Sequence, residues 1–213
     1  MRAGLPLEGH QGGEVMVDVY LAGVGGQGII TASRIIGDAA IIAGKSVLMS
    51  ETHGMAQRGG SVVCTARIGD VHSALIPDGK ADVVLSFEML ETMRALCAAS
   101  EKTVVISSTD RMVPMSVTTG KLHYPTLDEV EAASKKVARA FVSIDTSKLA
   151  REAGTPLSSN VVMVGALAGT GTTGIDRRAY EKAVEANVPR MVGENLTAFG
   201  KGFDVTSMIL RRG

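Results

Sequence analysis

Apolar residues along this chain fall into blocks whose spacing switches repeatedly between that of a strand and that of a helix. Val15-Met-Val-Asp-Val-Tyr-Leu-Ala22 is β-branched and mostly apolar, which predicts a buried strand. After Gly23-Val-Gly-Gly-Gln-Gly28, apolar residues recur at helical spacing through Ile29, Ala32, Ile35, Ile36, Ala39, Ala40 and Ala43. Gly44 is placed to stop that helix. Ser46 to Ser50 predicts a second short strand. Glu51-Thr-His-Gly-Met-Ala-Gln-Arg-Gly-Gly60 is too polar and glycine-rich for core and predicts an exposed loop. Ser61 to Ile68, Gly69-Asp70 and Val71 to Ile76 together form a hairpin signal.

Beyond Pro77-Asp-Gly79 the alternation continues. Strands are expected at Ala81–Ser86, Thr103–Ser107 and Phe141–Ile144. Helices are expected at Glu88–Ala99, Asp128–Ala140 and Ser147–Ala153. The first of these helices should bury Met89, Leu90, Met93, Leu96 and Cys97. An irregular connection holds Pro114 and Pro125, and Gly154 closes the short helix. Pro156 to Asn160 starts a helix over Val161–Gly169, whose Gly165 and Gly169 stand four apart and allow a neighbour close. Asp176 caps a helix to about Val188, and a last helix runs from Glu194 to Gly202 before a polar tail. Strands alternating with helices, plus one hairpin, predict an α/β fold: a three-layer domain with a mixed, mostly parallel sheet and a β-hairpin insertion. Residues 1–14 form a flexible N-terminal arm and residues 15–213 a single domain on this reading.

Composition narrows the function classes. Lys plus Arg and Asp plus Glu both number 22, so no overall field draws the chain to nucleic acid or to an acidic membrane. Four Phe, three Tyr and no Trp offer no base-stacking platform. No segment approaches the length that spans a membrane. Cys64 and Cys97 are the only cysteines, too few for an iron–sulfur cluster or a structural zinc. Together with the absence of a secretory leader, they suggest a reducing, cytoplasmic setting.

The candidate chemistry gathers near the first glycine turn. A strand feeding such a turn and a helix leaves the first helical amides unpaired, ready for an anion or a partner's carbonyl. Gly23, Gly25 and Gly28 fit G-x-G-x-x-G, and Glu51 follows at the end of the second strand, where a ribose-binding acid belongs. One reading is therefore a free-standing NAD- or FAD-dependent oxidoreductase. Against it, a glycine-rich loop and a hairpin follow Glu51 instead of the next helix of a nucleotide-binding half. His53 and Arg58 share the polar loop, where Arg58 can grip a carboxylate or phosphate and His53 can move a proton. The plainer alternative is a loop held by Arg58 on backbone carbonyls, or docked on another subunit. A regulatory or scaffolding module is a third, non-enzymatic possibility.

Gly23-Val-Gly-Gly-Gln-Gly-Ile-Ile-Thr-Ala-Ser-Arg34, His53-Gly-Met-Ala-Gln-Arg-Gly-Gly-Ser-Val62, Ala74-Leu-Ile-Pro-Asp-Gly79 and Ala81-Asp82 occur in that order. This set resembles the gamma-type subunit of 2-oxoacid:ferredoxin oxidoreductases, and the loop is most similar to the indolepyruvate branch. The likeness weakens beyond about Val113. It implies a subunit of a cytoplasmic heteromer that carries no cofactor itself. Thiamine diphosphate, magnesium and iron–sulfur clusters are then expected on a large partner subunit. The resemblance further implies oxidative decarboxylation of a 2-oxoacid, acyl transfer to coenzyme A and electron transfer to ferredoxin, with the isolated chain inactive. A homodimer is an option for the chain on its own. Gly23, Gly25, Gly26, Gln27, Gly28, Glu51, His53, Gln57, Arg58, Gly59 and Gly60 are the residues expected to face a partner or ligand. Among them, His53 and Arg58 are the candidates for chemistry.

Overall fold

A computed structural model describes residues 16–53, 59–112 and 123–212; the arm at 1–14 lies outside them. Among the described residues, six strands and seven α-helices follow one another. Strand β1 (Val17–Val24) leads to helix α1 (Ile29–Ile42), then β2 (Val47–His53), β3 (Ser61–Ile68) and β4 (Val83–Ser86). Next come α2 (Met89–Ala95), β5 (Val104–Ser108), α3 (Leu127–Val137), β6 (Ala140–Ile144) and α4 (Thr146–Glu152). The chain ends with α5 (Ser159–Gly169), α6 (Arg177–Asn187) and α7 (Val192–Arg212).

The strands lie in the order β2-β3-β1-β4-β5-β6. β3 is antiparallel to both β1 and β2, while β1, β4, β5 and β6 are mutually parallel. Alternate residues send Val19, Leu21, Val83, Leu85 and Ile106 into a large core shared with α1, α5, α6 and α7. Ala22, Val84 and Val105 face the other way, toward α2 and its 3₁₀ extension, with α3 beyond. The expected three-layer α/β arrangement is therefore present, with a thick helical layer on one face and a thin one on the other.

Three local expectations are corrected. Residues 71–76 form no strand. Both edges of β3 are taken by β1 and β2, so the hairpin is β2–β3 instead. The carbonyls of Ser73, Ala74 and Leu75 go to side chains: Thr65 Oγ1 donates to Ala74 O at 2.6 Å, and Arg67 Nη1 donates to Ser73 O and Leu75 O. Second, β2 runs on through Glu51, Thr52 and His53, which sequence placed in a loop. Third, α7 passes straight through Gly200 and Gly202 to Arg212. The two glycines weaken helix propensity, but close packing on α5 compensates. A Cβ on Gly165 would sit 2.0 Å from Phe199 O, and one on Gly202 would sit 2.0 Å from Val162 O. Gly165 and Gly169 thus allow the close approach that their spacing predicts.

Helix α3 opens with a reciprocal cap, Glu129 N donating to Thr126 Oγ1 and Thr126 N to Glu129 Oε2. The Thr126 amide, then His123 at 3.0 Å, holds the Glu129 carboxyl down at about 2. A lowered folded value stabilises above the unfolded value and is lost as pH falls toward the folded one. The cap should therefore weaken between about pH 4.5 and 2. A carboxyl NMR titration should give a Glu129 midpoint near 2 that rises in His123→Ala. A midpoint in the ordinary glutamate range in the unmutated chain would contradict the cap's role.

Candidate functional site

Two crossovers diverge between β1 and β4. β1 hands on to α1 on one face of the sheet, and β4 hands on to α2 on the other. In such sheets the carboxyl ends of the diverging strands leave a crevice where ligands bind. A cavity of about 340 Å³ lies there. The turn after β1 (Gly26, Gln27), Phe87 after β4 and Asp110–Met112 after β5 line it. Thr146 and Ser147 of α4 and the start of α5 (Ser159, Asn160) complete the wall.

The glycine turn is rigid for reasons its sequence shows. Val24 N donates to Gln27 Oε1 at 2.8 Å, and Gln27 Nε2 donates to Phe87 O at 2.9 Å. One side chain therefore ties the ends of β1 and β4 together. Gly28 takes a left-handed φ of 75° as the N-cap of α1, and a Cβ there would lie 2.7 Å from Asn160 Nδ2. Gly23 is buried, where a Cβ would meet Ile29 and Phe87 at under 3 Å. Its role is packing. Gly26 is exposed with nothing within 4 Å of its Cβ position, and it also borders a second hollow beside Ile30 and Val62.

Backbone bonds join this turn to the loop that sequence set beside it. Gly25 N donates to Gly60 O at 2.9 Å, and Gly59 N donates to Gly25 O at 3.4 Å. The antiparallel β3 begins where β1 ends, so these glycines meet. Glu51 is exposed in β2, opposite Cys64, and His53 ends the same strand opposite Val62. Gln57 and Arg58 lie outside the described residues.

This topology overturns the dinucleotide reading. That fingerprint needs its acid on the strand next to the glycine turn. Here β3 intervenes, which sets Glu51 about 10 Å away in the sheet at the usual strand spacing.

On the far wall a polar network holds the crevice in shape. Glu88 is 1% exposed. Its Oε2 caps α2 by accepting from Leu90 N and Glu91 N at 2.7 and 3.0 Å. Its Oε1 accepts from Met112 N at 3.2 Å and from the Tyr124 hydroxyl. Burial, then Glu88, pushes the Tyr124 hydroxyl well above its ordinary range, so it stays a donor. Glu91 accepts from Ser61 Oγ and Arg94 Nη1, both at 2.6 Å, and Thr92 meets Ser107 at 2.7 Å. This network explains why α2 fully buries Glu91 and Thr92, while the expected Leu90 and Met93 are half-buried against the core around Tyr124 and Val130. Asp110 Oδ2 accepts from Thr146 Oγ1 and Ser147 Oγ at 2.9 Å each.

Sequence reasoning missed Glu88, Asp110, Arg111 and Asn160. Their one available signal was position, just past a strand or at a helix start. Burial, then the charge of Glu51, pushes the Cys64 thiol up to about 11, leaving it protonated at neutral pH. Cys97 is exposed and separate from it. Among the described residues no three His, Cys, Asp or Glu side chains are grouped to hold a metal, and no helix is long and apolar enough to cross a membrane.

A family model described as pyruvate ferredoxin/flavodoxin oxidoreductase matches residues 18–205. Indolepyruvate oxidoreductase subunit IorB of Methanothermobacter thermautotrophicus is 44% identical over 187 residues, which cover 87% of this chain and 95% of the relative. The crystal structure of a keto/oxoacid ferredoxin oxidoreductase gamma subunit from Geobacter sulfurreducens superposes with a TM-score of 0.65 at 25% identity. That match covers 89% of this chain and 98% of the other. The 2-oxoglutarate:ferredoxin oxidoreductase of Magnetococcus marinus, solved with 2-oxoglutarate, coenzyme A and succinyl-CoA bound, shares the fold at a TM-score of 0.71 and 20% identity. There the match covers 92% of this chain but 32% of the larger one.

Proposed function

The chain belongs to the pyruvate ferredoxin/flavodoxin oxidoreductase family, and from that premise we propose that it is the gamma-type subunit of a cytoplasmic indolepyruvate, or similar arylpyruvate, ferredoxin oxidoreductase. The 44% identity with an indolepyruvate oxidoreductase subunit, spanning 95% of that relative, carries this reading. The complex converts a 2-oxoacid and coenzyme A to acyl-CoA and carbon dioxide, passing two electrons to two ferredoxins and releasing a proton. Thiamine diphosphate, magnesium and iron–sulfur clusters belong to the large partner subunit. This chain's own residues do not suit a cluster: Cys64 is buried and protonated, and Cys97 stands alone.

The chain's contribution is shape and contact. The turn at Gly23–Gly28 and the loop at His53–Gly60 face the large subunit and border the passage for acyl group and coenzyme A. The Gly25–Gly60 and Gly59–Gly25 bonds support this, because they root the loop on the braced turn. Arg58 is flanked by Gly54 and by Gly59-Gly60. A guanidinium presented on such a loop grips a carboxylate two-pronged, which lysine does not reproduce.

The test is co-purification of this chain with the large subunit, read with indolepyruvate- and coenzyme-A-dependent viologen reduction. Only the pair should turn over. Arg58→Ala should melt within about 1 kcal/mol of the unmutated chain, as surface changes do. It should nonetheless weaken assembly by about 2 kcal/mol, roughly 30-fold, as loss of a paired interfacial charge does. His53→Ala should match that loss if the imidazole moves a proton and fall short of it if it only packs. Unchanged assembly and turnover in Arg58→Ala would return the loop to a purely local role.

A further inference from the structure

Arg111 leaves the carboxyl end of β5 at the mouth of the switch-point crevice, with an exposed side chain. Its guanidinium carbon lies 4.7 Å from the centre of the Tyr124 ring. The guanidinium lies over the ring and also reaches the Tyr124 hydroxyl, which leaves the rest of its five N–H donors for a ligand. What holds the ring also holds the backbone beside Arg111, because Glu88 Oε1 receives both the Tyr124 hydroxyl and the Met112 amide. A single buried carboxylate thus fixes the position of an exposed cation.

Among the described residues no carboxylate lies within 4.0 Å of the Arg111 guanidinium. The neighbouring Asp110 carboxylate is engaged by the hydroxyls of Thr146 and Ser147. Residues 113–122, Val-Pro-Met-Ser-Val-Thr-Thr-Gly-Lys-Leu, contain neither Asp nor Glu. The crevice, at about 340 Å³, falls at the lower end of the ligand-pocket range.

We propose that Arg111 is an oxyanion-binding residue of this crevice, taking a phosphate or carboxylate group, with Tyr124 and Glu88 as its positioning residues. The group comes from a small ligand or from an acidic side chain of the large subunit. The proposal deepens the reading of the Gly23–Gly28 turn, which lines this crevice, as partner-facing and rests on it only for the second source.

Two arms separate the sources. In the first, the purified full chain is titrated with pyrophosphate while the amide signals of residues 110–112 and 146–147 are followed by NMR. Saturable binding is expected. It should weaken at least 10-fold in Arg111→Ala and be partly restored in Arg111→Lys. It should be unchanged in Arg139→Ala, at the far edge of the sheet. Tyr124→Phe, which keeps the ring but not the Glu88 bond, should bind more weakly than the unmutated chain while melting cooperatively. In the second arm, assembly with the large subunit is measured for the same variants. If pyrophosphate does not bind but Arg111→Ala weakens assembly 10-fold, the oxyanion is the large subunit's carboxylate.

Pyrophosphate binding equally well in Arg111→Ala overturns the proposal. So does the absence of saturable binding together with assembly that Arg111→Ala leaves unaltered. A wild-type chain that forms no complex sinks the subunit reading instead, and the pyrophosphate arm then decides Arg111 alone. With no complex, lack of saturable binding overturns the proposal as well.

Discussion

Gly165→Ala is expected to lower the stability of the fold by about 3 kcal/mol, at the top of the range for overpacked cores. The added methyl would lie 2.0 Å from Phe199 O and 2.8 Å from Phe199 C, both backbone atoms that no rotamer change can move. Helices α5 and α7 would have to separate, and the contacts of Gly169 and Gly202 along the same seam would open with them. For a chain of this size, a loss of that magnitude lowers the melting temperature by roughly 6–12 °C. Gly200→Ala, in the same α7, is the matched control. Its methyl would meet only the Arg177 guanidinium at 3.4 Å. That change should gain about 0.5–1 kcal/mol from helix propensity. Calorimetry or urea unfolding reads both, and an unmutated midpoint in Gly165→Ala would refute the backbone-to-backbone seam.

Glu88→Ala should be comparably damaging, by about 3–5 kcal/mol. It removes the cap of α2, a loss of about 1 kcal/mol on its own. It also strands the Met112 amide and the buried Tyr124 hydroxyl, each an unpaired donor costing about 1–3 kcal/mol. Glu88→Gln keeps one acceptor oxygen and should lose roughly half as much. Equal, small losses in the two variants, under about 1 kcal/mol in urea unfolding, would show that the carboxylate is dispensable. The expected gap arises because one oxygen of the pair serves the helix and the other serves the crevice wall.

The hydrophobic pattern located the framework closely. The Val15–Ala22 run became β1 shifted by two residues, Ile29 began α1 as expected, and Ser61–Ile68 coincides with β3. These segments are long and strongly periodic, so local signals decide them. Residues 71–76 were misread because an apolar-rich run after the Gly69-Asp70 turn looks like a returning strand, but β3 has no free edge to offer, a fact held in the tertiary pairing. The end of α7 was misread because Gly202 looks like a stop until the α5 backbone lies against it. The turn and Gly59–Gly60 meet because the antiparallel β3 begins where β1 ends, a pairing that the glycines alone do not announce. Asp110, Arg111 and Asn160 were harder still to see. Position past a strand or at a helix start is their only mark in the chain, and only the meeting of the β5 end with α4 and α5 makes them neighbours.

The place of β3 also bears on how the sheet is assembled in time. Its pairing with β2 closes a short connection, whereas its pairing with β1 must close over all of α1 and β2. Entropic cost grows with the length closed, by about 0.6 kcal/mol per doubling. The β2–β3 ribbon is thus the cheaper first event, available while β1 is still searching. Once it exists, a single docking of β3 along β1 delivers two strands to the sheet at once. The edge strand then reaches its position as a passenger on its neighbour and needs no separate crossover to find it. Folding of this half should follow the arrival of a preformed two-stranded ribbon, while the parallel half waits on the slower joining of β4, β5 and β6 through their helices.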